Sequence, residues 1–169
     1  MLEQKEPYYN LIAHMMGYEN LHAERIQHFL KVYEFAKLIG TGEEISSPLM
    51  HILCVAAITH DIGIKPSEEK YGDCSGEHQE QEGPAAAREF LTPLGYSEEL
   101  IERVCYLIGH HHTYHDIDGM DYQILIEADF LVNMLEGQMD AEACRSVYER
   151  IFRTKTGKRI CRKMYPVRE

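Results

Sequence analysis

Ten histidines in 169 residues are a large supply of imidazole, and several of them stand near carboxylates. His28 falls in the middle of a helically periodic stretch, and His60 and Asp61 are adjacent, directly after the run CVAAIT. His110, His111 and His112 are consecutive, and Asp129 interrupts the apolar segment ILIEADFLVNM. Imidazole nitrogen and carboxylate oxygen together suit Mn, Fe, Ni, Co or Zn better than an oxygen-only site would, with Mg a harder and less well matched ion. Two histidines and two aspartates leave room on an octahedral ion for water and substrate. Such an ion lowers the pKa of its water and polarises a phosphoryl oxygen. Taken singly, these residues carry little, since a mid-helix histidine such as His28 is more often a surface or hydrogen-bonded side chain. Asp129 carries more, because a carboxylate flanked by Ile126, Ala128, Phe130 and Leu131 is costly if it is buried unpaired.

Helices must do the positioning. Adjacent residues in mid-helix point about 100° apart, so His60 and Asp61 can meet one ion only at a helix end, where the chain turns back. From Glu19 to Leu38 apolar residues recur at three- and four-residue steps, and Gly40 and Gly42 close that segment. Ser47 and Pro48 read as an N-cap and first helical residue, followed by LMHILCVAAITH, which is apolar nearly all round and therefore a buried central helix. Residues 63–82, rich in charge, Gly and Ser, predict a surface loop with at most a turn of helix near Glu80. Further helices are predicted from Pro84 to near Gly95, from Ser97 to Gly109, over 122–135, over 141–152, and over about 157–165 at the basic C-terminal end. No strand alternation, repeat or interdomain linker interrupts them. The expectation is an all-α single domain over residues 1–169.

Composition narrows the partners. The net charge of −11 argues against backbone-driven nucleic-acid binding. Residues 149–169 nevertheless hold eight basic and two acidic side chains, a surplus of six, which leaves the preceding residues at −17. The five cysteines are odd in number and form no CxxC pair, as in a reduced intracellular chain. With no apolar signal core and no run of 18 uninterrupted apolar residues, the expectation is a cytoplasmic protein without a membrane span. A homodimer is expected from the apolar surface of so helical a chain.

His28, then ITHDIG at residues 58–63, a histidine cluster, and EADF with Asp129 together resemble the HD-domain metal-dependent phosphohydrolases, with the core motifs in 28–129. The resemblance implies an HD-domain helical bundle with a central metal site whose ligands are His28, His60, Asp61 and Asp129. In members with two metals, the residue matching Asp61 bridges them and later histidines hold the second ion. His110 and His111 stand about where one of these is expected, and His78 is a weaker candidate. Many members carry a histidine four residues before the next glycine, but Gln79 precedes Gly83 here, with Glu80 or Glu82 as substitutes. That departure favours one ion over two. Ile64 stands where some members have lysine, and Lys65 follows it. Asp118-Gly119-Met120-Asp121 replaces the GYP tripeptide of the cyclic-dinucleotide phosphodiesterases, and the chain lacks the length of the stringent-response hydrolases. It looks like a small stand-alone member.

The activity implied is metal-assisted hydrolysis of a phosphate monoester, diester or anhydride, on a nucleotide or similar small phosphorylated metabolite. Asp61 would orient the attacking water, and Lys65 is expected to offset phosphate charge. Arg153 and Lys155, in the hydroxyl-rich turn FRTKTGKRI, are further phosphate candidates, although this is not a Walker A loop. A diiron oxygenase and a non-enzymatic, metal-stabilised nucleotide-binding or signalling module are the alternatives.

Overall fold

The computed structural model describes residues 6–167. Its helices are α1 (Tyr9–Tyr18), α2 (Ala23–Gly42), α3 (Ser47–Thr59), α4 (Ile64–Tyr71), α5 (Gly76–Leu91), α6 (Glu98–Ile108), α7 (Met120–Glu136), α8 (Ala141–Ile151) and α9 (Lys155–Met164), with a 3₁₀ turn at Thr92–Leu94. No strand occurs among the described residues, so the expected all-α architecture is the one observed. Arg168, part of the basic tail, lies outside them.

The bundle is organised around α3, in which every residue from Leu53 to Thr59 is buried. A helix apolar on all sides cannot face water, so α2, α6 and α7 surround it and α1 closes a further side. α2 also lies along α7, while α5 pairs with α6 and α4. The stretch 47–71 is long and apolar enough to cross a membrane by composition, but α3, its apolar half, is the centre of this core.

Short polar side chains set the helix starts. Ser46, rather than Ser47, caps α3 by accepting from the Leu49 amide at 3.4 Å, which places Pro48 inside the first turn. Ser75, Ser97, Asp140 and Thr154 cap α5, α6, α8 and α9 in the same way. α9 therefore begins two residues earlier than its composition suggests.

The largest departure from expectation is residues 63–82. They form α4 and the first half of α5, with Pro84 inside α5 rather than at its start. Charge and low hydropathy hide a helix that buries only a narrow stripe: Ser67, Gln79, Gly83, Ala87 and Leu91 are the buried positions. Gly72 ends α4 in the left-handed region at φ +77°, the conformation glycine adopts without steric cost. α1 was also invisible to the periodicity argument, since it buries only Leu11 and Met15.

Candidate metal centre

α2 carries His28, the end of α3 presents His60 and Asp61, and α7 carries Asp129. α3 stops at Thr59, and the Ile62 and Ile64 amides turn back onto the carbonyls of Thr59 and Asp61. That turn brings two adjacent residues to one point, as the helix-end argument required. Glycine makes the corner possible. A Cβ on Gly63 would lie 2.6 Å from the Gln79 carbonyl oxygen and 2.9 Å from the Cα of Gly83, so the corner and α5 touch backbone to backbone.

The donor atoms converge. His28 Nε2 lies 3.2 Å from His60 Nε2, 3.1 Å from Asp129 Oδ1 and 3.4 Å from Asp61 Oδ2. His60 Nε2 is 3.4 Å from Asp61 Oδ2 and 3.5 Å from Asp129 Oδ1. Neighbouring ligands around an ion with bonds of about 2.1 Å are separated by roughly 3.0–3.4 Å, so these distances match the edges of a coordination shell. His28, His60 and Asp129 are buried.

Tautomers sharpen the point. His60 Nδ1–H donates to the Ala57 carbonyl at 2.9 Å, and His111 Nδ1–H to the Ile108 carbonyl at 2.8 Å. His28 Nδ1–H donates to Glu136 at 2.8 Å. All three acceptors lack a proton to give, so each neutral imidazole turns its Nε2 lone pair inward. Lone pairs and carboxylate oxygens this close repel one another unless a cation or protons lie among them. His111 Nε2 is buried, has no hydrogen-bond partner, and stands 3.5 Å from Asp61 Oδ1. Asp61, His111 and His112 thus make a second group able to share an ion. The donor set fits a divalent transition ion.

Titration follows the same geometry. Burial works against the charged form of His28, but the hydrogen bond to Asp129 and the fields of Asp61 and Asp129 outweigh it and raise its pKa to about 9. His111 moves up despite its burial because of Asp61, whereas burial beside His111 lowers His112 to about 4. Burial opposes ionisation of Asp61 and Asp129, yet the surrounding histidines hold both well below the usual carboxylate range.

The remaining predicted site residues lie elsewhere or do other work. Of the three consecutive histidines, His111 faces the cluster and His112 lines the adjoining cleft. His110 turns away, bonded to the Tyr106 carbonyl at 2.7 Å and stacked on that ring. The turn is held by Glu80, which accepts from the His112 amide at 2.9 Å and Thr113 Oγ1 at 3.0 Å, and by the Tyr122 hydroxyl, which donates to the His110 and Thr113 carbonyls. Glu80 is thereby spent on holding the backbone. His78 pairs with Asp73 and stacks on Tyr71, and Glu82 accepts from Lys70 and Tyr71. Lys65 Nζ reaches the Tyr18 carbonyl at 3.3 Å and lies over that ring, in a separate cleft. The Arg153 guanidinium folds onto the carbonyls of Glu149, Arg150 and Phe152, closing the end of α8, and Lys155 is exposed at the start of α9. Four cleft residues escaped the sequence argument: Glu24 and Arg25, about one turn before His28, and Asn133 and Glu136, one and two turns after Asp129. Helical spacing from a ligand is the signal that could have found them.

Comparison with known proteins agrees with the geometry. The HD domain family profile matches residues 25–153. A crystal structure of a predicted HD superfamily hydrolase from an uncultured Thermotogales bacterium superposes with a TM-score of 0.66 at 23% identity, covering 94% of this chain and 85% of that one. No curated protein matches the sequence. HD domains bind divalent metals, and this chain is a member of the HD domain family.

Proposed function

We propose that the protein is a metal-dependent hydrolase of phosphate ester or anhydride bonds in a small phosphorylated metabolite such as a nucleotide. The observation that carries this reading is the set of inward-turned Nε2 lone pairs of His28, His60 and His111 around Asp61 and Asp129. Family membership supports hydrolysis, as does the structural neighbour described as a predicted hydrolase. His28, His60, Asp61 and Asp129 would hold the ion, which supplies Lewis acidity toward a phosphoryl oxygen and hydroxide near neutral pH.

The chain's own residues divide the remaining work. Among the described residues Asp61 is the carboxylate that belongs to both groups, with Oδ2 toward His28 and His60 and Oδ1 toward His111, so it is placed to orient a water between them. His112 is held neutral near pH 7 by its burial beside His111, so it adds no charge at the cleft wall. Ala57, Ile108 and Glu136 keep the three imidazoles in one tautomer. One ion is the simplest occupancy. With Gln79 in place of a further histidine and bonded to His112 at 3.3 Å, the second group offers at most Asp61, His111 and His112.

The test is a hydrolysis screen over nucleotides and sugar phosphates with Mn, Ni, Co, Fe or Mg added, run beside Asp61→Ala. Turnover that falls on the order of 10³-fold in the variant is expected. Equal turnover in both proteins overturns the assignment. Two bridged irons and oxygen consumption in the purified protein would instead point to the oxygenase.

A further inference from the structure

With Lys65, Arg153 and Lys155 directed elsewhere, the substrate's negative charge still needs a fixed partner. The cleft over the His/Asp cluster encloses about 260 Å³, and Arg25 is the one arginine or lysine among its described lining residues. Arg25 precedes His28 by three residues, so the two side chains share a face of α2 and look into the same space.

Its guanidinium is held unequally on its two sides. Inside, Nη1 lies 3.5 Å from Oε2 of Glu19, a carboxylate that is 1% exposed and has no hydrogen-bond partner for either oxygen. Arg25 Nη1 has no hydrogen-bond partner either, and although burial raises the Glu19 pKa, the guanidinium beside it favours the carboxylate, so the two buried groups hold each other in place. Outside, Nη2 donates to Glu68 Oε1 at 2.5 Å, but the Glu68 side chain is 41% exposed. An ion pair with so exposed a partner is cheap to break, because water replaces the lost contact. A phosphoryl group carries more charge than a carboxylate and matches the guanidinium fork.

We propose that Arg25 is the anion-binding arm of this cleft, anchored by Glu19, and that a substrate phosphoryl oxygen displaces the exposed Glu68 carboxylate from its Nη2. The inference rests on the phosphohydrolase reading above. It makes the arm specific for a single phosphoryl group, since further phosphates would meet Glu24 and Glu136 at the cleft wall rather than another cation.

The two partners of the ion pair are expected to respond with opposite signs. In Mn-loaded full-length protein, calorimetry with inorganic phosphate should show Arg25→Gln weakening binding tenfold or more. Glu68→Gln, which removes the competing carboxylate, should tighten it about threefold. Should Arg25→Gln fail to fold because Glu19 is left unpaired, Arg25→Lys keeps the charge without the fork, and its affinity should fall clearly below wild type but stay above that of Arg25→Gln. Metal content should match wild type in all three variants, and with p-nitrophenyl phosphate KM should move more than kcat. Unchanged phosphate affinity in the Arg25 variants, or weakening in Glu68→Gln, overturns the proposal while leaving the hydrolase reading in place. A wild-type holoprotein that neither binds phosphate nor hydrolyses any phosphate ester removes both.

Discussion

Glu127 and Asp129 stand two residues apart on α7, both buried, one 0% and the other 4% exposed. Glu127 is surrounded by donors: Gln123 Nε2, the Arg153 and Thr154 amides, and the Thr154 hydroxyl, at 2.5–2.9 Å. Those bonds join α7 to the turn between α8 and α9, and the turn's own cap, Thr154, also receives the Gly157 amide. Asp129 is surrounded instead by His28 and His60, whose Nε2 atoms become lone pairs once His28 gives up its proton, in the tautomers that Glu136 and Ala57 impose. Burial alone does not separate a structural carboxylate from a chemical one. The neighbours do: donors complete the first, whereas acceptors leave the second waiting for a cation.

Breaking each side of this comparison should have a different consequence. Asp129→Asn should reduce co-purifying metal to background and hydrolysis on the order of 10³-fold, while the variant stays folded by circular dichroism. Added Mn should raise the melting temperature of wild type but not of this variant, because only a bound ion shifts the folding equilibrium. Glu127→Ala should do the reverse, costing about 3–5 kcal/mol in urea unfolding by stranding several buried donors, with metal stoichiometry preserved in the folded fraction. Loss of metal from Glu127→Ala at full stability would contradict the distinction.

A proton can stand in for the ion at Asp129, and this gives a pH test. The raised pKa of His28 means that the metal-free protein gains stability from its protonation below about pH 6.5 and loses it as pH rises through about 9. Metal must displace that proton, so metal affinity should rise over the same interval and level off above it. Unfolding curves taken in chelator, and metal titrations at matched pH, should therefore slope in opposite directions. In His28→Gln both slopes should flatten.

Smaller effects are expected farther from the ligands. Gly63→Ala should cost about 1–3 kcal/mol, since its Cβ meets the Gln79 carbonyl and α5 must retreat from the corner that aims Asp61. Lys65→Ala should change kcat/KM less than twofold, because Lys65 is spent on Tyr18. A tenfold loss there would place Lys65 at the substrate after all.

Periodicity located α2, α3, α6, α7 and α8 to within a few residues because each buries a broad apolar stripe that local sequence records. It missed α4 and the start of α5, whose buried positions are polar or small, and it read Pro84 as a beginning because proline is costly in a helix interior. The choice among His110, His111 and His112 was beyond it as well. That choice depends on Glu80 and Tyr122, which lie far away in sequence and fix the turn by hydrogen bonds.

The kinds of ligand, the need for a helix end at His60-Asp61 and an all-helical scaffold are legible in the chain alone, because they follow from side-chain chemistry and a 3.6-residue period. Which cation shares the cleft, which histidine faces Asp61 and which buried carboxylate is already satisfied emerge only once the helices are packed. Those are questions about neighbours, and neighbours are set by packing between distant helices.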